Sequence, residues 1–173
     1  MVASISARGS AAAAIAYYDH LRADDYYTSS REPPGRWTGH AAERLSLQGP
    51  VVQSEFEAAL AGRDPKFGHA LIQQQVQNHA AGWDMTYSAP KSLSVLWALS
   101  NEPERQAIIA AQQAAVTKAV QQLERTAAFT RRGSAGKIRE ATAGLLVAAF
   151  DHHTCPFRKP YLGAFAAGDR IGS

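Results

Sequence analysis

The order of apolar and polar residues along this chain predicts alternating strands and helices. Residues 2–6 alternate small and β-branched side chains, which is typical of a short first strand. An alanine-rich run at residues 11–21 favours a helix, because alanine has the highest helix propensity. Gly9 and Ser10 supply a turn and a cap before it. Residues 28–35 hold paired serines and paired prolines and predict a loop.

The middle of the chain predicts short elements. Two short helices are expected at residues 41–45 and 54–61, with Ser54 as the N-cap of the second. Residues 83–87 then predict a strand, and a further helix follows with Ser88 as its N-cap.

The second half predicts a long helix, a hairpin and a buried strand. The helix is expected over residues 102–125, with one apolar stripe formed by Ile109, Val116, Val120 and Leu123. A basic turn at residues 131–136 joins two short strands, and residues 144–152 form the most apolar strand. The pattern predicts one domain of mixed strands and helices, with no internal repeat.

Composition narrows the class of protein. The 173 residues fit about one domain, and an apolar fraction of 46% is enough for a packed core. A net charge of +3 suits an anionic partner such as nucleic acid, although it is also ordinary for a small protein. The single cysteine, Cys155, excludes an internal disulfide and indicates a reducing compartment such as the cytoplasm. The sequence has no secretory signal and no apolar run of about 18 residues that would span a membrane.

Two pairs of tyrosines near the amino end are the main candidates for chemistry. Tyr17 and Tyr18 form the first pair, and Tyr26 and Tyr27 form the second. A phenol oxygen can attack a DNA phosphodiester and hold the 5′ end covalently, and a second phenol can accept the next transfer. Since a free phenol has a pKa near 10, it needs a base or a metal ion nearby to react at neutral pH.

Several further segments accompany these tyrosines in a fixed order. They are residues 37–45 (WTGHAAERL), 82–97 (GWDMTYSAPKSLSVLW), 128–133 (AFTRRG) and 142–154 (TAGLLVAAFDHHT). Together with the tyrosine pairs they resemble the N-terminal part of conjugative relaxases of the TrwC/TraI (MobF) family, within the HUH endonucleases. The resemblance covers residues 1–154, and the run DMTYSAPKS is its most specific part. It implies an α+β fold of the HUH relaxase type, an antiparallel sheet with flanking helices, which we expect to be incomplete in this chain.

The resemblance implies a reaction and roles for particular residues. Such relaxases nick single-stranded DNA at a specific site of a transfer origin through a 5′-phosphotyrosine intermediate. The resemblance also implies other conjugation proteins as possible partners. Tyr17 matches the nucleophile, Tyr26 the second transesterification tyrosine, and Asp84 the acid that helps to take the phenol proton. Taken singly, such residues more often have structural roles, with Tyr17 packing on its helix and Asp84 capping the end of a strand.

Basic and aromatic residues are candidates for DNA contacts. Lys91, at a predicted helix start, could bind a phosphate, and Arg131 and Arg132 could follow the DNA backbone. Each could equally be a solvated surface charge. Of the three tryptophans, core packing is expected for all: Trp37, Trp83 and Trp97.

The metal site implied by the resemblance is incomplete in this sequence. The family holds one divalent cation, Mg²⁺ or Mn²⁺ by expectation, with three histidines, of which two form a His-hydrophobic-His pair on the adjacent strand. His152 matches the first ligand, but no histidine follows His153. A single histidine binds a divalent metal poorly, so we expect nicking activity to be impaired or lost.

The pattern breaks off at Cys155, which predicts a partial relaxase domain at residues 1–154 and a divergent tail at 155–173. A frameshift or truncation would explain the break. The strand at residues 144–152 would then lack a partner on one side, so the fold would be marginal or completed by another molecule. The alternatives to an impaired relaxase are a non-catalytic single-stranded DNA-binding module and a degenerate gene product.

Overall fold

The computed structural model describes residues 2–16, 34–71, 81–132, 137–142, 144–151 and 161–166. The strands are β1 (Val2–Arg8), β2 (Arg36–Thr38), β3 (Gly82–Ser88), β4 (Phe129–Arg132), β5 (Ile138–Ala141), β6 (Leu145–Ala149) and β7 (Tyr161–Ala166). The helices are α1 (residues 11–16), α2 (His40–Arg44), α3 (Gln53–Leu60), α4 (Lys91–Leu99) and α5 (Glu102–Ala127). None of these helices is both long and apolar enough to cross a membrane.

The main sheet has five strands in the order β1-β3-β7-β6-β2, and every neighbouring pair is antiparallel. Strands β4 and β5 form a separate antiparallel hairpin. This arrangement of an antiparallel sheet with helices confirms the α+β class that the sequence predicts.

The position of β7 corrects one expectation from the sequence. The sequence predicts that the strand at residues 144–152 lacks a partner on one side. This strand is β6, and it pairs with β2 on one side and with β7 on the other. Strand β7 comes from the segment predicted to be a divergent tail, and it also pairs with β3. The apolar run YLGAFA at residues 161–166 suits a central strand, so the backbone groups of β6 are satisfied within the chain. Where the family resemblance ends along the chain stays a prediction.

Alternate residues of β6 divide the molecule into two cores. Leu146 and Ala148 point to one side of the sheet, called here the first face, where α2, α3 and Ala14 of α1 pack. Val147 and Ala149 point to the opposite side, the second face, where α5 packs through Val116 and Val120. Alternation along a strand therefore places a helical layer on each side of the sheet.

One buried carboxylate joins three elements. Glu124 of α5, whose side chain is 5% exposed, accepts hydrogen bonds from the backbone N–H groups of His40 (2.7 Å) and Leu145 (2.9 Å). Its other oxygen lies 2.6 Å from Nδ1 of His40. The close approach requires glycine at position 144, since a Cβ there would lie 2.6 Å from the Cβ of His40. Glu124 thereby fixes the start of α2 and the start of β6 against α5.

The helix boundaries confirm the predicted cap at Ser10 and contradict those at Ser54 and Ser88. Asn101 and Glu104 form a reciprocal capping box at the start of α5. Ser54 is not an N-cap, because α3 begins at Gln53 and is preceded by Val52. Ser88 is not one either, because it pairs with Val2 as the last residue of β3, and α4 begins after Pro90. Helix α4 packs on α5 and buries none of its residues fully, and Leu99 at its end is 82% exposed.

Candidate functional site

Asp84 is a buried carboxylate in the middle of the sheet. The residue is 3% exposed and lies on β3, opposite Ser6 of β1 on one side and Gly163 of β7 on the other. Gly163 in turn lies opposite Ala148 of β6. Because directly opposed residues share a face, Asp84 lies on the first face together with Ala148. A carboxylate is costly to bury, which makes Asp84 a candidate for chemistry.

The amino-terminal helix packs on the same face as Asp84. Ala14 of α1 is 1% exposed and belongs to the first-face core. The next candidate along the chain, Tyr17, directly follows the described part of this helix. Tyr17 and Tyr26 both lie outside the described residues, as does His152, so their predicted roles stay predictions.

Strand β7 occupies the place next to β3 where the resemblance calls for a pair of histidines. Tyr161 lies opposite Thr86, and Gly163 lies opposite Asp84. These two positions are separated by two residues and therefore share the first face. Neither is a histidine, and in the described parts of the chain no three His, Cys, Asp or Glu side chains come together as a metal site. The residues at these positions do not fit a three-histidine centre.

The two residues that follow β6, Phe150 and Asp151, make contacts on opposite sides of the sheet. Phe150 packs on the first-face core, where its ring meets Phe56 edge-on with centroids 5.7 Å apart. Asp151 accepts a hydrogen bond from Nη1 of Arg36 at 2.8 Å and another from Nε2 of Gln113, on α5, at 2.7 Å. Sequence reasoning missed this arrangement, since Arg36 is 115 positions from Asp151 and no local pattern joins them.

The predicted DNA-contacting residues lie at separate places. Lys91 is the exposed first residue of α4, as the sequence predicts, at the end of the helix where backbone N–H groups favour an anion. Arg131 and Arg132 lie on β4, opposite Arg139 and Ile138 of β5. The guanidinium of Arg139 stacks over the ring of Phe129 at 3.2 Å, which adds a cation to the hairpin. Whether any of these residues contacts DNA stays a prediction.

The tryptophans divide between core and surface. Trp37 is buried in the first-face core, and its Nε1 donates to Glu55 at 3.1 Å. Trp97 is partly buried beneath the guanidinium of Arg105. Core packing is wrong for Trp83, which is 40% exposed. Its neighbour on the edge strand is Ala7, whose small exposed side chain leaves the indole open to solvent.

Tyr87 is the described tyrosine with a perturbed hydroxyl. It packs in the second-face core against α5, and this burial raises the pKa of its phenol above the usual 10.0. A raised pKa disfavours the phenolate, so Tyr87 is not suited to act as a nucleophile near neutral pH.

Comparison with known proteins identifies relatives of this chain. Residues 11–159 match the family described as TrwC relaxase. The multifunctional conjugation protein TraI of Escherichia coli strain K12 is 36% identical over 165 residues, which is 94% of this chain and 9% of that protein. A second Escherichia coli TraI is 36% identical over 161 residues, which is 92% of this chain and 9% of that protein.

Solved structures of the conjugative relaxase TrwC are also similar. A metal-free complex with oriT DNA has a TM-score of 0.66 and 30% identity, and the match covers 94% of this chain and 54% of the chain in that structure. A complex with a 27-mer DNA comprising the recognition hairpin and the cleavage site has a TM-score of 0.65 and 28% identity at the same coverage. A metal-bound complex with oriT DNA has a TM-score of 0.66. This chain spans about half the length of those structures and 9% of the TraI proteins, and it belongs to the TrwC relaxase family.

Proposed function

We propose that this chain is part of a conjugative DNA relaxase that binds single-stranded origin DNA and whose strand-cutting chemistry is impaired. Membership of the relaxase family supports the DNA substrate, and the TrwC relatives are seen in complex with oriT DNA. The observation that carries the impairment is the register of β7, which sets Gly163 rather than a histidine opposite Asp84.

The reaction assigned to the ancestral site is a transesterification at phosphorus. The Tyr17 oxygen would attack the scissile phosphate, and the bond from phosphorus to the O3′ leaving atom would break. The 5′ end then stays esterified to Tyr17, the phenol proton passes to Asp84, and the released O3′ takes up a proton. Tyr26 would carry the second transfer. The position of Asp84 on the face against which α1 packs supports its assignment as proton acceptor.

The metal part of the site is where this chain departs from its relatives. The sequence keeps His152, which matches the first of the family's three ligands. Strand β7 supplies neither of the other two histidines of the family pattern. One imidazole is a weak site for Mg²⁺ or Mn²⁺, so the charge developing on the phosphate would lack its usual partner.

Binding of DNA does not depend on the missing histidines. The net charge of +3 and the exposed Lys91 support contacts to phosphates, and Arg131 and Arg132 are the further residues assigned to them. Other conjugation proteins are plausible partners of a relaxase, and the single cysteine fits a cytoplasmic setting.

The test is to incubate the protein with an origin oligonucleotide and Mg²⁺ or Mn²⁺ and to look for a covalent adduct on a denaturing gel. The expected result is binding with little or no adduct. Abundant adduct that disappears in Tyr17→Phe would contradict the impairment. Absence of binding would contradict the DNA-binding role, and a broad, non-cooperative thermal transition would favour a degenerate product instead.

A further inference from the structure

The loop that follows α3, residues 62–71, is built as a closed turn and is called here the aromatic loop. Its two ends are joined by the bond from the N–H of Leu71 to the carbonyl of Gly62 at 2.9 Å. Nearer the tip, the N–H of Asp64 donates to His69 and the N–H of Gly68 donates to Asp64, both at 2.8 Å. A surface loop with this many internal backbone bonds holds one shape, and its side chains are presented in fixed positions.

A buried carboxylate organises the tip of the loop. Asp64 is among the few buried charged residues of the described chain, and its Oδ1 accepts from the N–H groups of Lys66 and Phe67 at 2.8 Å each. Its Oδ2 lies 3.6 Å from Nε2 of His69. The two sides of the turn are thereby tied to one side chain, which fixes Phe67 and His69 relative to each other.

This ordered tip displays two aromatic rings to solvent. Phe67 is 79% exposed, and the imidazole of His69 is also exposed. The two rings are parallel to within 14°, with centroids 6.2 Å apart. This spacing is in the range of offset-stacked pairs, so the two exposed rings present parallel aromatic faces.

Positive charges flank the rings. Lys66 and Arg63 are both exposed, and each anchors its cation on a nearby backbone carbonyl, that of Ser46 for Lys66 and that of Gly68 for Arg63. The acidic residue within the loop, Asp64, is buried and bonded to two amides. The exposed surface of the aromatic loop is thus aromatic and cationic, which is the combination that binds single-stranded nucleic acid.

We propose that Phe67 and His69 form a stacking platform for a base of single-stranded DNA, with Arg63 and Lys66 beside the neighbouring phosphates. This inference rests on the proposed DNA-binding function and adds a contact outside the tyrosine, Asp84 and histidine positions. The aromatic loop directly follows α3, which packs on the first face, the face that carries Asp84. The platform and Asp84 therefore belong to the same side of the sheet. Stacking tolerates any base, because each base offers a π-face.

The first experiment measures affinity for a fluorescein-labelled single-stranded oligothymidylate by fluorescence anisotropy. We expect Phe67→Ala to weaken binding about tenfold and Phe67→Trp to keep or strengthen it. Leu99→Ala is the matched control, since Leu99 is similarly exposed but lies at the end of α4 and should leave affinity unchanged. Asp64→Ala should also weaken binding, because it frees the loop while keeping both rings. Thermal melts of each variant establish that the fold is retained.

A second probe separates stacking from a structural effect. An abasic oligomer of the same length offers phosphates without bases, so Phe67→Ala should leave its binding unchanged. Lys66→Ala should instead reduce the dependence of affinity on salt for both probes. The platform is overturned if wild-type protein and Phe67→Ala bind oligothymidylate equally well. It is also overturned if Phe67→Ala weakens binding of the abasic oligomer as much as it weakens binding of oligothymidylate. Either result leaves the proposed function standing. Failure of the wild-type protein to bind any single strand overturns both.

Discussion

Asp84 of β3 and Gly163 of β7 lie directly opposite each other in the antiparallel register, on the sheet face against which α1 packs. The sheet is therefore complete at the strand where the resemblance calls for a histidine pair, and the residue opposite Asp84 is a glycine. Loss of ligands and loss of fold are separate events in this molecule, because β7 contributes backbone pairing to both neighbours whatever side chains it carries.

Restoring histidines to β7 should restore metal binding. The pair Tyr161→His with Gly163→His would place two imidazoles on the face of Asp84, since positions separated by two share a face. Together with His152 they would complete the three-histidine pattern. We expect the affinity for Mn²⁺, measured by isothermal titration calorimetry, to rise by at least about tenfold.

The matched control is Leu162→His with Ala164→His, which adds the same two residues to the same strand but on the second face. It should bind Mn²⁺ no better than the unaltered protein. Equal gains in the two double variants would show that added histidines bind metal irrespective of face, and the placement of the site on the Asp84 side would then be wrong.

Asp84 should matter for chemistry once the metal site is rebuilt. In the background of Tyr161→His and Gly163→His, Asp84→Asn keeps the size of the side chain but removes the proton acceptor. The rate of adduct formation with an origin oligonucleotide should fall by about 10²–10⁴-fold, the usual contribution of a general base. Oligonucleotide affinity should stay within about twofold, because the buried carboxylate is not assigned a DNA contact. An unchanged rate would remove Asp84 from the reaction.

Glu124 should be one of the most sensitive positions for stability. Glu124→Ala would leave the N–H groups of His40 and Leu145 without their acceptor, so we expect a loss of about 3 kcal/mol in the free energy of unfolding. Urea denaturation at neutral pH measures it. His40→Ala is the control: its largely exposed ring makes a weaker contact, worth less than about 1 kcal/mol. Equal losses would mean that the imidazole contact, not the two backbone bonds, carries the stabilisation.

Much of the secondary structure follows from local sequence. The β3 strand, the α4 helix and the α5 helix all depend on patterns within a few residues, and each is predicted near its observed bounds. Where the local sequence is compatible with two structures, the observed boundary differs from the predicted one. Serine is a favourable N-cap residue, but Ser88 pairs with Val2 and is therefore the last residue of β3.

The relationships that build the site join distant parts of the chain. Glu124 contacts His40 across 84 positions, and Arg36 contacts Asp151 across 115, so no periodicity could reveal either pair. The place of β7 depends on register with two strands from other parts of the sequence, and a short apolar run does not specify which strands it will join. The sequence alone shows that no histidine follows His153, but the consequence predicted for the sheet, an unpaired strand, is wrong.

Burial of the Tyr87 phenol predicts that the folded protein loses stability at high pH. Its phenol has a pKa above the usual 10.0 in the folded protein, whereas in the unfolded chain it titrates near that usual value. Below about pH 10 both states hold the proton, so this residue contributes no pH dependence there. As the pH rises further, the unfolded state loses the proton first, binds fewer protons than the folded state, and is favoured. Tyr87→Phe keeps the ring but has no proton to lose. The drop in melting temperature from about pH 8 to about pH 11 should therefore be smaller in the variant, with the melting temperatures of both proteins at about pH 8 as the baseline. An equal drop in the two proteins would mean that other groups cause the alkaline unfolding.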